Sequence, residues 1–151
     1  MITLTGEYAL RAMAYMAKLP PGQYVLAQGV GKELSIPPNY LSKVLQSLAR
    51  HGLLESQRGR NGGFRLQRAA ASIRLFDILS AVEPVRRYEL CILGRKVCSD
   101  ETACPIHHAW KEARNKVLTL FQTTPLTKLM EHQELLQGRP SRKKRHAPAA
   151  R

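Results

Sequence analysis

The segment at residues 38–51 separates into an apolar and a polar face when it is placed on a helix. The apolar face carries four aliphatic side chains: Leu41, Val44, Leu45 and Leu48. The polar face carries five side chains that form hydrogen bonds: Asn39, Ser42, Lys43, Gln46 and Arg50. Proline is tolerated in the first turn of such a helix, and Gly52 is typical of a C-cap. We therefore expect one face to pack on a core and the other to stay available to a partner.

Two further helices are expected before this one. Apolar residues recur near helical spacing over residues 5–18, and the run Pro-Pro-Gly at 20–22 ends that helix. Residues 25–34 also have helical length, although Gly29 and Gly31 each cost about 1 kcal/mol relative to alanine in a helix interior. A short break then separates this second helix from the third.

Two short extended segments follow the third helix, at residues 53–57 and 64–67, and the connector RGRNGG joins them. Its three glycines and its Asn-Gly pair permit positive φ angles and a tight hairpin, with Arg58 and Arg60 at the tip. Three helices followed by such a hairpin are the order of a winged helix-turn-helix, whose third helix enters the major groove and whose wing contacts the flanking groove or backbone. The sequence therefore predicts a mainly α winged helix-turn-helix fold.

The polar helix face and the hairpin supply candidates for contacts with double-stranded DNA. The candidates are Asn39, Ser42, Lys43 and Gln46 on the helix and Arg58 and Arg60 on the wing. The chain holds 24 Lys and Arg against 11 Asp and Glu, and this net charge of +13 favours a polyanionic partner. The alternative is a solvated polar face beside an ordinary hairpin. A nucleotide phosphate loop is disfavoured because the connector lacks the Lys-Ser or Lys-Thr that such loops use.

The rest of the chain is expected to hold a dimer interface. A long helix with Pro105 in its first turn carries apolar residues at steps of 4, 3, 4 and 3, which is the spacing of a two-helix seam: Ile106, Trp110, Ala113, Val117 and Leu120. A last short helix is expected over residues 124–136. The predicted divisions are a DNA-binding domain at 1–83, a cysteine-bearing loop at 84–105, the dimerisation helix and the short helix at 106–136, and a disordered basic tail at 137–151 with six of the thirteen net charges.

The cysteine-bearing loop suggests an inorganic centre. Cys91, Cys98 and Cys104 are separated by six and five residues, an odd set for disulfides in a chain that we expect in the cytoplasm because it shows no signal sequence. Thiolates favour iron–sulfur clusters, zinc or cuprous copper, and the absence of a Cys-x-x-Cys pair favours a cluster over zinc. The alternatives are buried structural cysteines and a metal-free thiol switch.

Three thiolates leave room for a fourth ligand of another type. His107 follows Cys104 by three residues and offers an imidazole nitrogen, whereas His108 is expected to point about 100° away on a helix. The carboxylate of Glu7 or Asp100 is the other option if the fold brings either one near. A ligand that is not a thiolate is displaced more easily, which would open one iron to oxygen or nitric oxide.

Two function classes are disfavoured by the sequence. No apolar run approaches the roughly 20 residues that span a bilayer, so a membrane protein is not expected. No arrangement of nucleophile, base and oxyanion donors is recognisable, so an enzyme is not expected either. A cluster-carrying electron-transfer protein remains as a rival, and it predicts turnover with a reductant and no binding to duplex DNA.

Over about residues 1–129 the chain resembles the winged-helix regulators of the Rrf type, which include the bacterial iron–sulfur cluster assembly regulators and nitric-oxide-sensing repressors. The matching runs are LT at 4–5, YALRA at 8–12, IPPNYL at 36–41, GLL at 52–54 and RGRNGGFRL at 58–66, followed by three cysteines before a long helix. The resemblance implies a homodimeric transcription factor, usually a repressor, whose DNA affinity depends on an iron–sulfur cluster.

The resemblance also implies roles for single residues. Arg58 falls on the wing arginine that contacts DNA, Ser42, Lys43 and Gln46 fall on the recognition helix, and Cys91, Cys98 and Cys104 fall on the cluster cysteines.

Two patterns within the family compete for the remaining ligand. Cys104-Pro105-Ile106-His107 is similar to the Cys-x-x-His of the cluster-assembly type with a two-iron cluster, whereas Glu7 aligns with an acidic residue that the nitric-oxide-sensing type supplies from the partner subunit to a four-iron cluster. We favour His107 and a two-iron cluster. The chain departs from the usual pattern in its first cysteine gap of six residues rather than five, in glutamate rather than aspartate at position 7, and in the glycines of the second helix. These departures leave the exact ligand set and the signal open.

Overall fold

The computed structural model describes residues 2–84, 90–96 and 99–131. Within these residues the fold is mainly helical, with five α-helices and one two-stranded sheet. The helices are α1 (Leu4–Met16), α2 (Ala27–Leu34), α3 (Pro38–Arg50), α4 (Leu75–Val82) and α5 (His107–Thr123). The strands are β1 (Leu54–Gln57) and β2 (Gly63–Leu66), and short 3-10 helices lie at Ala70–Ser72, Asp100–Thr102 and Leu126–Met130. None of the helices described is long and apolar enough to cross a membrane.

The predicted order of three helices, a hairpin and a long later helix is confirmed, and the differences lie at the helix ends. Helix α1 ends two residues earlier than expected, and α2 begins two residues later. Pro105 does not lie in the first turn of α5 but precedes its N-cap residue, Ile106. The helix expected over residues 124–136 is a 3-10 helix at Leu126–Met130, and the rest of it lies outside the described residues, as do Cys98 and the basic tail.

Helix α1 begins at a cap that also fastens it to the end of α4. The hydroxyl of Thr3 accepts a hydrogen bond from the backbone N–H of Gly6 at 3.0 Å, and Glu7 lies in the first turn, where the helix dipole favours a negative charge. The backbone N–H of Thr3 donates to the carboxylate of Glu83 at 3.2 Å, and Glu83 is buried. The start of α1 is therefore held against the residue that follows α4 and precedes the cysteine loop.

The turn between α2 and α3 explains one of the two glycines in α2. Ser35 adopts a left-handed conformation with φ of 54°, and the chain then turns so tightly that a Cβ on Gly31 would lie 2.7 Å from the carbonyl oxygen of Ile36. No atom lies within 4 Å of a Cβ placed on Gly29. Close approach of the backbone therefore requires glycine at position 31 but not at position 29.

The wing, which we define as β1, β2 and the connector at 58–62, is joined to the segment before α2. Val25 and Phe64 exchange two backbone hydrogen bonds of 2.9 Å, so that Val25 extends the two-stranded sheet by one bridge. Gly63 has φ of +134°, and a Cβ there would lie 2.4 Å from the carbonyl oxygen of Val25. The orientation of the wing is thus fixed by backbone pairing that only glycine permits at this position.

The main core lies between α1, α3, α4 and the wing, and a second small cluster attaches α5. In the main core the largest fully buried side chains include Met13, Leu41, Leu45, Leu48, Leu53 and Ile78. In the second cluster Phe121 of α5 packs against Leu75 and Leu79 of α4. The backbone N–H of Leu126 also donates to the carbonyl of Ile73 at 2.8 Å. The end of α5 is therefore joined to the DNA-binding unit by both apolar packing and backbone pairing.

The two glycines of α2 give a matched test of the turn. Gly29→Ala should raise the free energy of unfolding by up to about 1 kcal/mol, because alanine is the better helix former and its Cβ meets open space. Gly31→Ala should lower it by roughly 1–3 kcal/mol, because the backbone around Ile36 must move. Denaturant unfolding of the two variants measures both changes, and a shift of the same sign in both would contradict the argument.

Candidate nucleic-acid interface and cysteine loop

An open cleft of about 980 Å³ lies between α3 and the wing. Polar side chains from three elements line it: Gln28 from α2, Asn39, Ser42 and Gln46 from α3, and Ser56, Gln57 and Arg58 from the wing. Helix α3 presents its polar face here because its apolar face is buried in the main core. Amides and hydroxyls in such a cleft can read base edges, and the guanidinium of Arg58 supplies a cation for phosphate or the minor groove.

Four of the six predicted DNA-binding residues line this cleft, and two do not. Asn39, Ser42, Gln46 and Arg58 lie together, whereas Lys43 and Arg60 are exposed outside the residues that line it. Lys43 lies one position further round α3 than Ser42, and Arg60 lies at the tip of the wing. These two residues are better placed for backbone contacts beside the cleft than for base contacts within it.

The predicted DNA-binding residues do not include Ser56, Gln57 or Gln28, and of these three Gln28 comes from another helix. It lies in the first turn of α2, whose N-cap residue, Leu26, provides no side-chain cap. The first helix of a helix-turn-helix motif crosses the DNA backbone. The motif itself therefore indicates a DNA contact near α2. The periodicity of α2 alone does not indicate that its first turn lines the same cleft as α3.

A polar cluster braces the wing against the segment before α2. The hydroxyl of Tyr24 donates to Glu55 at 2.8 Å, and the guanidinium of Arg65 donates to the other oxygen of Glu55 at 2.7 and 2.9 Å. The guanidinium also lies 4.7 Å from the ring centroid of Tyr24. The hydrogen bonds from Tyr24 and then Arg65 lower the pKa of Glu55 below its usual range. The carboxylate of Glu55 is therefore ionised at neutral pH. It joins β1 to Arg65 of β2 and to Tyr24 before α2.

Helix α1 contacts the helix-turn-helix at two points. The hydroxyls of Tyr40 and Thr5 form a hydrogen bond, and the ring of Tyr40 meets Tyr8 edge to face at 5.8 Å between centroids. Arg11, which is buried, donates to the carbonyl of Leu34 at the end of α2. Thr5 and Tyr8 of α1 thus hold the start of α3 through Tyr40. Arg11 of α1 holds the end of α2.

Two of the three predicted cysteine ligands lie within the described residues. Cys91 is buried and Cys104 is half-buried, and neither forms a disulfide. The backbone N–H of His107 donates to the carbonyl of Cys104 at 2.9 Å, so Cys104 lies directly against the start of α5. On the other side, the indole N–H of Trp110 donates to the carbonyl of Leu90 at 3.0 Å. The backbone at Cys104 and the backbone next to Cys91 therefore both contact the start of α5.

His107 is held by an ionised carboxylate. Its side chain is only 3% exposed, and Nε2 lies 2.8 Å from Oδ1 of Asp100. The ammonium of Lys111 donates to both oxygens of Asp100, at 3.0 and 2.8 Å. Hydrogen bonds from Lys111 and then from His107 lower the pKa of Asp100 to about 2. Asp100 is therefore negatively charged at neutral pH, and it accepts hydrogen bonds from Lys111 and His107.

His108 does not point away from this group, contrary to the expectation. The rings of His107 and His108 meet edge to face with centroids 5.1 Å apart, because both side chains turn toward the 3-10 helix that carries Asp100. Ligand atoms of Asp100, His107 and His108 all lie within 4.8 Å of one another, and this is the one such group of three among the residues described. Cys91 and Cys104 join no group of this kind, and Cys98, which would complete the set, lies outside that part of the chain.

Glu7, the rival fourth ligand, lies in the first turn of α1. Its side chain is 53% exposed, and Oε1 is 3.4 Å from the guanidinium of Arg11. Within the residues described, this pair connects Glu7 to the arginine that holds the end of α2. The donor set as a whole has the right chemistry for an iron–sulfur cluster, because it offers buried or half-buried thiols and a buried imidazole.

Fold, cleft and charge fit a winged-helix, DNA-binding protein, and the matching family and curated relative are transcriptional regulators rather than enzymes. The model of the Rrf2 family, described as iron-dependent transcriptional regulators, matches residues 2–132, and the chain therefore belongs to this family. A protein of Aquifex aeolicus that carries the name of an HTH-type transcriptional regulator is 32% identical over 132 residues, which cover 86% of this chain and 91% of that protein.

Solved structures share the fold. The chain is similar to CymR of Staphylococcus aureus in its oxidized form, with 26% identity, a TM-score of 0.69, and coverage of 87% of this chain and 97% of that one. It is similar to B. subtilis CymR, named the global cysteine regulator, with 23% identity, a TM-score of 0.71, and coverage of 86% and 95%. It is also similar to T. potens IscR, with 19% identity, a TM-score of 0.68, and coverage of 86% and 85%.

Removal of the wing cation should weaken DNA binding. We expect Arg58→Ala to cost roughly 1–3 kcal/mol of binding free energy and to reduce by about 1 the slope of log affinity against log salt, because one contact to the polyanion is lost. Fluorescence anisotropy with a duplex that the wild-type protein selects from a random pool measures both quantities.

Lys128→Ala is the matched control for Arg58→Ala. Lys128 pairs with Glu131 at 2.8 Å in the 3-10 helix after α5 and does not line the cleft, yet its removal lowers the net charge by the same amount. Equal losses in the two variants would show that net charge, and not the position of Arg58, determines affinity.

Proposed function

We propose that the protein is a homodimeric repressor whose operator affinity is controlled by an iron–sulfur cluster, bound by Cys91, Cys98, Cys104 and His107. The observation that carries the proposal is the position of the donors on the connection between the DNA-binding unit and α5. The backbone at Cys104 contacts the first turn of α5, the backbone at Leu90, next to Cys91, contacts Trp110 of the same helix, and His107 begins that helix. A centre bound there can change how α5 meets the rest of the molecule.

The chemistry of the donors supports an iron–sulfur cluster as the group that is bound. Thiolates are soft ligands, and a buried imidazole beside them is a ligand of moderate strength that a competing molecule can displace. The description of the family as iron-dependent supports the same group. When bound, such a cluster supplies a change of charge or ligation in response to oxidants, nitric oxide or iron supply.

His107 is favoured over Glu7 as the fourth ligand. His107 is 3% exposed and adjoins Cys104 through a backbone hydrogen bond, so it lies on the same chain segment as one of the proposed cysteine ligands. Glu7 is half-exposed on a different helix and pairs with Arg11. A Glu7 ligand would have to come from the second subunit. The two-iron form that accompanies the Cys-x-x-His pattern is therefore the nuclearity we propose.

Helix α5 supplies the surface for the second subunit. One side of α5 packs on α4 through Phe121, while Ile106 and Leu120 on another side are 44% and 55% exposed. Ala113 lies between them on the same side and is exposed as well. These three residues form an apolar stripe and recur every seven positions, whereas Val117 of the predicted seam packs on the α4 cluster within the subunit. Burial against the same stripe of a second copy is the arrangement that removes the three residues from water.

The position of the loop gives a route from the centre to the DNA. The far end of α5 is packed on α4, whereas the near end follows Cys104. Drawing the cysteines together pulls the near end of α5 relative to the packed end, and in a dimer that changes the spacing of the two α3 helices. A coupling of about 1–3 kcal/mol changes DNA affinity roughly 5- to 150-fold, which is sufficient for a genetic switch.

A charge in the stripe should prevent dimerisation. We expect Leu120→Asp to shift the protein from dimer to monomer in analytical ultracentrifugation and to weaken operator binding, because two carboxylates would face each other across an apolar seam. Gln122→Asp adds the same charge at an exposed position about 200° further round α5, so this variant should remain dimeric. Dimerisation of both variants would contradict the proposed interface.

The cluster itself is tested on protein purified without oxygen. We expect about two iron and two sulfide per subunit by native mass spectrometry, a coloured protein, loss of the cluster in Cys104→Ala, and a cluster that is altered or lost in His107→Ala. His108→Ala is the matched control, because it removes the neighbouring imidazole at an exposed position and should keep the wild-type spectrum. A colourless wild-type protein without iron or sulfide would overturn the proposal.

A second candidate is a regulator of the same fold that responds through its thiols alone. The observation that favours it is the pair of unbridged cysteines at Cys91 and Cys104, together with the likeness to S. aureus CymR, whose structure is that of an oxidized form. This candidate predicts a colourless protein when oxygen is excluded. It also predicts that peroxide changes DNA affinity with no iron present and that Cys104→Ala abolishes this change.

A further inference from the structure

We propose that Asp100 is a positioning residue for His107, which fixes the imidazole in the tautomer whose Nδ1 carries the lone pair for the metal. The inference rests on the proposed function, because it concerns how His107 is prepared to bind iron. It differs from that function in naming the atom that binds and the residue that selects it.

The contact between the two side chains determines the tautomer. Oδ1 of Asp100 lies 2.8 Å from Nε2 of His107, and an ionised carboxylate has acceptor atoms only. Nε2 must therefore carry the proton of this hydrogen bond. A neutral imidazole has one N–H, so Nδ1 is the nitrogen that holds the lone pair.

Asp100 is better suited to this role than to binding metal itself. Lys111 donates to both of its carboxylate oxygens, and Oδ1 also accepts from His107. A metal ion at Oδ1 would have to displace one of these two donors, and a metal ion at Oδ2 would lie beside the ammonium of Lys111. Histidines that bind metals commonly donate their second N–H to a carboxylate, which sets the ring orientation and raises the basicity of the ligand nitrogen. The contacts of Asp100 match this supporting position.

The local fold holds the pair in place before any metal arrives. Asp100 begins the 3-10 helix Asp100–Thr102, and His107 begins α5 after the turn that contains Cys104. Lys111 lies one helical turn after His107 on the same face of α5, so its ammonium reaches the same carboxylate. Three side chains from two adjacent elements thus fix the ring of His107 against rotation.

The tautomer can be measured on the metal-free full-length protein. With histidine labelled by ¹⁵N, long-range ¹H–¹⁵N correlation spectra should report the Nε2–H tautomer for His107 in the wild type and in Glu101→Ala. Glu101→Ala removes an exposed carboxylate from the same 3-10 helix and is the matched control. Asp100→Ala should shift His107 toward a mixture of tautomers. An Nδ1–H ring in the wild type, or no difference between the two variants, would overturn the inference.

Iron binding gives a second readout. After anaerobic reconstitution, Asp100→Ala should lose iron to a competing chelator about 10- to 100-fold more readily than the wild type, while Glu101→Ala should match the wild type. Pulsed electron paramagnetic resonance of the reduced wild type, prepared with histidine labelled only at Nδ1, should show ¹⁵N coupling to the cluster. Absence of that coupling in a loaded protein would overturn the inference even if the cluster is present.

Two outcomes separate this inference from the proposed function. If the wild type has the Nε2–H tautomer but takes up no iron and sulfide, the proposed function fails while the control of His107 by Asp100 stands. Zinc titration of the metal-free protein addresses the group of three ligands within 4.8 Å. Tight zinc binding that Asp100→Ala and His108→Ala abolish equally would make Asp100 a ligand, and this would overturn its assignment as a positioning residue.

Discussion

The proposed regulation depends on the attachment of α5 to α4. Phe121 packs between Leu75 and Leu79, and the chain beyond α5 pairs with Ile73, so the far end of α5 moves with the DNA-binding unit. The near end follows the cysteine loop. In the regulation proposed above, a change of ligation in the cysteine loop changes the angle of a helix whose other end is fixed. The same packing leaves the apolar stripe of α5 available for a second subunit.

The DNA-binding unit, by contrast, is built to be rigid. Backbone pairing of Val25 with Phe64 fixes the wing, and the polar side chains around Glu55 brace it. Arg11 holds the turn between α2 and α3. Such preorganisation lowers the entropy that DNA binding must cost, since the cleft needs little ordering on contact. In the proposed dimer, regulation can act on the relation between the two DNA-binding units while the cleft within each unit stays intact.

Periodicity and turn chemistry predicted the helices, the hairpin and the polar face of α3, because these features follow from residues close in sequence. The site features that sequence reasoning missed depend on chain segments meeting in space. Gln28 joins the cleft only because the first turn of α2 lies beside α3, and Gly31 is needed only because the chain returns past Ile36. His108 was expected to point away from His107, but the 3-10 helix with Asp100 draws both rings to one side. Helical geometry gives the direction of a Cβ and not the final position of a ring.

The ion pair between Lys111 and Asp100 bears on the proposed role of His107 as a cluster ligand. A cluster bound by three thiolates carries negative charge, so a carboxylate close to it is unfavourable unless a cation neutralises that carboxylate. Lys111 does this by binding both oxygens of Asp100, whose remaining function is to accept the proton of His107. Exchange of Lys111 for a neutral side chain would leave Asp100 uncompensated and raise the cost of binding the anionic centre. Because Lys111 neutralises Asp100, the carboxylate can orient His107 without repelling the proposed anionic cluster.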